Sequence, residues 1–159
     1  MKILALNKRA TFDYQILETF EAGLVLFGYE VKSLRNGQAN LKGSYISFGA
    51  DLKKTNEAWL VNSYIPLYKP AGKRDDYNPE RPRKILLKKK ELNHLIGKSK
   101  EKGLTVIPIK LYTKSSFIKL EIAIVKGKKA FDKREDLKKK EVEKHIRTLT
   151  KQKIKTSRG

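Results

Sequence analysis

Residues 14–26 read Tyr14-Gln15-Ile16-Leu17-Glu18-Thr19-Phe20-Glu21-Ala22-Gly23-Leu24-Val25-Leu26. Tyr14, Ile16, Phe20, Ala22, Leu24 and Leu26 fall on every second position, with Glu18 as the one break. Successive side chains of a strand point to opposite faces, so this period of two predicts a long strand with one face on a core. Gly23 inside it predicts a bend. Downstream, Val31-Lys32-Ser33-Leu34-Arg35 ahead of Asn36-Gly37 predicts a short helix stopped by a turn dipeptide. Ser44 to Phe48 and Ala58 to Leu67 predict two strands joined through a polar turn around Lys53-Lys54-Thr55-Asn56.

The stretch from Pro66 to Pro82 holds four of the five prolines and is expected to be a long, exposed, mobile loop. Arg83 to Lys102 is the best helix candidate. Ile85, Leu92, Leu95 and Ile96 make one apolar stripe, and Gly103 supplies a C-terminal stop. Leu104 to Thr113 and Phe117 to Lys126 complete a hairpin that turns at Lys114-Ser115-Ser116. In the second of these, Ile118, Leu120, Ile122 and Ile124 alternate with Lys119, Glu121, Ala123 and Val125. Five or six strands with two helices predict a mainly β fold. Closure removes exposed edges, so the expected form is a small closed barrel of about six strands with flanking helices, of the oligonucleotide-binding (OB) type.

Composition divides the chain. Residues 127–159 carry 13 Lys or Arg against 5 Asp or Glu, a net of +8, with Phe131 as their one aromatic side chain. Residues 1–126 hold nearly all the core material. The chain therefore reads as an OB-like barrel over 1–126 and a basic C-terminal tail over 127–159. In the tail, Leu137, Val142, Ile146 and Leu149 are too sparse to bury a helix, although good helix formers dominate. A segment disordered in isolation and helical along an RNA surface is the expectation.

The whole chain has 37 Lys and Arg against 17 Asp and Glu, a formal net charge of +20. Such an excess repels itself unless a polyanion neutralises it. There are no cysteines, so disulfides and thiolate metal sites are excluded. No apolar run is long enough for a signal peptide or a membrane span, and a soluble cytoplasmic protein with no membrane association is expected. Catalytic chemistry is not visible. His94 and His145 have no motif partner close in sequence, no Walker-type loop or nucleophile elbow occurs, and Asp75-Asp76 sits in the expected loop. A binding protein, not an enzyme, with no cofactor and no metal site, is the reading.

Three basic clusters carry that binding: Asn7-Lys8-Arg9, then Arg83, Lys84, Lys88, Lys89 and Lys90 in the expected helix, then the tail. A surface making six to ten phosphate contacts loses roughly 10³- to 10⁵-fold in affinity from low to moderate salt, because each contact releases counterions. Phe12, Tyr14, Tyr29, Tyr45, Tyr68, Tyr77 and Tyr112 are interleaved with these clusters. A minority of them could stack unpaired bases, and most are expected to pack within the hairpins.

Several blocks together are similar to the small protein B family of tmRNA-binding proteins. They are Asn7-Lys8-Arg9-Ala10, Phe20-Glu21-Ala22-Gly23-Leu24, Gly28-Tyr29-Glu30-Val31-Lys32-Ser33-Leu34-Arg35 and Arg81-Pro82-Arg83-Lys84-Ile85-Leu86-Leu87, with Gly127-Lys128-Lys129 and Asp132-Lys133-Arg134. The resemblance covers essentially the whole chain. It implies an OB-type barrel that binds the tRNA-like domain of tmRNA, stands in for the missing anticodon arm, and reaches the decoding centre of stalled ribosomes. It also implies a tail lying along the empty mRNA channel, and delivery, as a monomer on tmRNA, with elongation factor Tu and its GTP. By resemblance Asn7, Lys8, Glu21, Leu86 and Lys119 bind RNA, and the basic clusters add Arg9, Arg83 and Lys84 to the expected RNA-binding residues. Those acting on the ribosome are Gly127, Lys128, Lys129, Asp132, Lys133 and Arg134. A carboxylate such as Glu21 cannot attract phosphate, so it is expected to accept from base edges or to orient a nearby Lys or Arg.

Overall fold

The computed structural model describes residues 1–49, 57–72 and 76–127. The turn expected around Lys53-Lys54-Thr55-Asn56, part of the proline-rich loop, His145 and the tail from Lys128 onward lie outside the described residues. Met1–Gly127 form one compact unit.

Its strands are β1 (Lys2–Leu6), β2 (Tyr14–Leu24), β3 (Tyr45–Phe48), β4 (Ala58–Val61), β5 (Arg83–Leu86), β6 (Leu104–Lys114) and β7 (Phe117–Gly127). The helices are the single turn α1 (Ala10–Asp13), α2 (Gly28–Arg35) and α3 (Lys89–Ser99). All strand pairings are antiparallel, and the sheet runs β1-β6-β7-β2-β5-β4-β3. The fold is mainly β, as expected. The closed six-stranded barrel is corrected: among the described residues seven strands form one sheet, and no ladder joins its two edges, β1 and β3. β1 is irregular between Ile3 and Ala5, and β3 is four residues long, so neither offers a long straight edge for pairing. The sheet curls instead, bringing β3 against β6 without a ladder.

The main core fills the inside of that curl. Leu34 of α2, Leu95 of α3, Leu60, Leu111, Leu120 and Ile122 are among its fully buried side chains. A second, smaller cluster lies on the outer face, where Ala10 of α1 covers Ile107, Ile109, Ala123 and Val125, with Tyr14 and Ile16 packed alongside. The long strand read from residues 14–26 serves both cores because it is bulged. Ile16 pairs with Val125 and Glu18 with Ile124, so two steps on β2 match one on β7. The extra residue moves Tyr14 and Ile16 to the outer face, while Phe20, Ala22 and Leu24 stay inward. Glu18, the break in the periodicity, marks this bulge.

Helix α2 ends as the sequence predicts: Gly37 adopts φ +70° and its N–H donates to Leu34 O at 2.9 Å. The expected helix over Arg83 to Lys102 is corrected. Arg83–Leu86 is strand β5, pairing with β2 and β4, and the helix starts only at Lys89. The expected mobility of Pro66–Pro82 is corrected as well for its described C-terminal part. Ile65 N donates to Pro79 O at 3.0 Å, and Tyr77 and Arg81 both reach Glu30 on α2.

Candidate nucleic-acid interface

The outer face of the sheet has two halves. One is the apolar patch under α1, and the other is polar. Across β6, β7, β2 and β5 the register sets Tyr112, Lys119, Gly23 and Leu86 side by side. One step along, Lys110, Glu121 and Glu21 form a second row. Leu86 is 51 % exposed, unusual for a leucine in a central strand. It lies over Gly23, where a Cβ would sit 3.3 Å from the Leu86 Cβ; the glycine makes room for that leucine.

Glu21 and Glu121 face each other directly, a like-charge pairing that costs stability unless each charge is neutralised. Strand β6 supplies both partners. Lys110 Nζ lies 3.2 Å from Glu121 Oε2. Lys114 Nζ lies 3.2 Å from Glu21 Oε1 and 3.5 Å from Oε2. Tyr112, buried between the two lysines in sequence, donates its hydroxyl to Glu21 Oε2 at 2.5 Å. The Tyr112 hydrogen bond first, and Lys114 second, hold the Glu21 carboxyl below its ordinary value against a smaller opposing push from burial. Burial and the adjacent Glu21 push the Tyr112 hydroxyl well above its usual range, so it remains a proton donor. Lys119 projects beside this pair, its Nζ 5.8 Å from the Phe117 ring centroid. The arrangement is an ionised carboxylate fixed on a cationic face, with cations placed to neutralise phosphate around it.

Lys84, on β5 two residues before Leu86, shares the outer face and makes a loose pair with Glu57 at 3.6 Å. Arg83 does not. Its side chain is fully buried, and its guanidinium is engaged by Glu30 Oε2 at 2.7 and 2.9 Å, Ser63 O and Oγ, Tyr77 Oη and Pro79 O. With its donors engaged inside the protein, the Arg83 side chain offers none on the outer face, unlike Lys84. It anchors instead a network that sequence reasoning missed. Glu30 accepts from Arg81, Arg83 and the Phe27 N–H, which starts α2. Burial raises the Glu30 carboxyl, but Arg81, the Phe27 N–H and Arg83 outweigh it and leave it below its ordinary value. Tyr77, pushed up to about 12 chiefly by burial, donates to Ile65 O at 2.6 Å.

Asn7, Lys8 and Arg9 follow β1 and lead into α1. The Asn7 side-chain amide donates to Pro108 O at 2.8 Å, tying this corner to β6. Lys8 and Arg9 are exposed. With Leu6, Asn40, Lys42 and Gly43 these residues line an open cleft of about 350 Å³. Lys88, Lys89 and Lys90 are exposed at the start of α3, where lysines work against the helix dipole. His94 Nε2 lies 3.0 Å from Glu18 Oε2, a surface partner 76 residues away.

Most of the interleaved aromatics pack rather than project. Tyr14 joins the outer cluster, Tyr29 meets Tyr77 edge-on at 5.1 Å, and Lys32 sits over Tyr68. Tyr45 stays 47 % exposed. Among the predicted residues, then, the structure groups Glu21, Lys84, Leu86 and Lys119 on one face and Asn7, Lys8 and Arg9 at another corner. Gly127 ends β7 opposite Tyr14, and Lys128, Lys129, Asp132, Lys133 and Arg134 lie outside the described residues. Lys110 and Lys114 were not anticipated. Their spacing from Tyr112, two residues either way in a strand, was the available signal.

Comparison with known proteins places this geometry in context. A family model described as SmpB protein matches residues 4–152. A protein of Thermosipho melanesiensis named SsrA-binding protein is 51 % identical over 95 % of this chain and 99 % of its own length. Others of that name from a Sulfurihydrogenibium species and from Geobacillus thermodenitrificans are each 50 % identical, over 97 % and 91 % of this chain and 97 % and 90 % of theirs. A solved chain described as "tmRNA-SmpB: a journey to the center of the bacterial ribosome" superposes with a TM-score of 0.64 at 44 % identity, covering 82 % of this chain and 87 % of that one.

Proposed function

The chain belongs to the SmpB protein family, and from that premise we propose that it binds SsrA RNA, the tmRNA of trans-translation, in the rescue of stalled ribosomes. The observation that carries this reading is similarity along nearly the whole chain to proteins named for binding that RNA. The polar outer face supports it, since Lys84, Leu86, Lys110, Lys114 and Lys119 share it with one fixed carboxylate, Glu21.

In this reading the RNA contacts are Glu21, Lys84, Leu86 and Lys119 on the sheet, with Asn7, Lys8 and Arg9 at the corner beside it. The curled sheet acts as an OB-like body standing in for an anticodon arm at the decoding centre. The tail from Gly127 onward, with Lys128, Lys129, Asp132, Lys133 and Arg134, works in the empty mRNA channel after RNA is bound. The protein is a monomeric cytoplasmic adaptor rather than an enzyme, and any GTP chemistry belongs to elongation factor Tu in the same complex. Among the described residues no helix is long and apolar enough to cross a membrane.

Gel-shift competition tests the reading. Full-length protein is expected to hold tmRNA against an excess of unrelated transcripts of matched length; equal competition would refute it. A chain ending at Gly127 is expected to bind tmRNA yet fail in a tagging assay on stalled ribosomes. If that truncation costs as much RNA affinity as Glu21→Ala, the division between body and tail is wrong.

A further inference from the structure

A carboxylate amid lysines on an RNA-binding face requires a reason. Phosphate is repelled by it, and water would serve the lysines as well. Glu21 is also held in place at a cost: it faces Glu121 across β2 and β7, and two lysines and a buried tyrosine are spent on stabilising the pair. Lys114 alone would neutralise it. Tyr112 adds something else, because it is buried where Lys114 is 64 % exposed. Its hydroxyl fixes Oε2, so the carboxylate plane is set by the sheet rather than by solvent.

What remains open is acceptor capacity. An ionised carboxylate has about four lone-pair sites. Oε2 takes Tyr112, and Oε1 has only Lys114 Nζ at 3.2 Å among the described residues. The group is 38 % exposed on its side chain and faces outward. A ligand that completes it must offer N–H donors, and preferably two adjacent ones. Of the four unpaired bases, guanine alone presents adjacent imino and amino donors, N1–H and N2–H, on its pairing edge. Adenine and cytosine offer one amino group beside an acceptor, and uracil one imino group between two carbonyls that a carboxylate repels. Lys119 and Leu86 flank the position on the neighbouring strands, a cation for the adjoining phosphate and an apolar surface for the base plane.

We propose that Glu21, oriented by Tyr112 as a positioning residue, accepts the N1–H and N2–H donors of one unpaired guanine in the bound RNA. This rests on the RNA-binding reading above and gives that surface a base specificity.

Interference mapping with the full-length protein tests it. A tmRNA transcript carrying sparse random inosine, which lacks the guanine amino group, is partitioned into bound and free fractions. With the native protein, inosine is expected to be excluded from the bound fraction at one or more unpaired guanosine positions. With Glu21→Gln that exclusion is expected to vanish at one position and persist elsewhere, with affinity lower by roughly 5- to 150-fold, the range for losing a paired base contact. Tyr112→Phe is expected to weaken exclusion at that same position alone, a signature that a general loss of stability would not give. Lys119→Gln is expected to lower affinity and leave the map unchanged. Identical maps for native protein and Glu21→Gln would overturn the proposal while tmRNA binding stood. A native protein without preference for tmRNA would overturn both.

Discussion

At position 83 a guanidinium sits where no water reaches it, two bonds from Glu30 and one from each of Tyr77 and Pro79. Removing one member of such a pair strands the other charge. Glu30→Ala is therefore expected to cost about 3–5 kcal/mol, read by urea denaturation. Its sequence neighbour behaves differently: Lys84 is half-exposed and loosely paired, so Lys84→Ala is expected to change stability by less than about 1 kcal/mol. The Glu30 carboxyl also sets a pH dependence. Because its folded value lies below the ordinary 4.5, the unfolded chain takes up the proton more readily. The stabilisation is full above that ordinary value and is lost as pH falls through the depressed one. Thermal melts from pH 7 to pH 3 are expected to show the decline beginning near the ordinary carboxylate value, and Glu30→Gln is expected to start less stable and flatten it. A melt curve for Glu30→Gln with the native slope would contradict this assignment.

Among the elements, β2 shows what a sequence can and cannot reveal. Its alternation predicted a strand, and even the bulge left a trace in Glu18. The assignment of faces needed the partner strand, because a one-residue slip exchanges the two sides of everything beyond it. The sequence of strand β5 predicts a helix for a related reason. Four residues alternating inward and outward do not contradict a helical stripe, and Arg83 reads as surface until Glu30, 53 residues away, is brought to it. The carboxylate cluster was half-legible: Glu21 and Tyr112 were each singled out, but 91 residues separate the partners. Packing between β2 and β5 gives a prediction at this scale. Gly23→Val puts branched carbon where even a Cβ is tight against Leu86. It is expected to cost about 1–3 kcal/mol in denaturation and to weaken RNA binding by displacing Leu86, measured by gel shift.

For the whole molecule, the net charge of +20 makes RNA affinity a function of salt. A plot of log affinity against log salt concentration is expected to be steep, and Lys119→Gln is expected to reduce its slope by about one unit. An unchanged slope would remove Lys119 from the phosphate contacts. Composition alone foretold that sensitivity. What it could not foretell was that the sheet stops short of meeting itself.

That unclosed seam has a consequence for how the molecule breathes. Among the described residues β1 is bonded on one side only, through β6, whereas β7 is sandwiched between β6 and β2 over residues 119–126. Deuterium should therefore enter the first strand long before it reaches the seventh, and the chain's opening end is a rim that already carries Lys8 and Arg9.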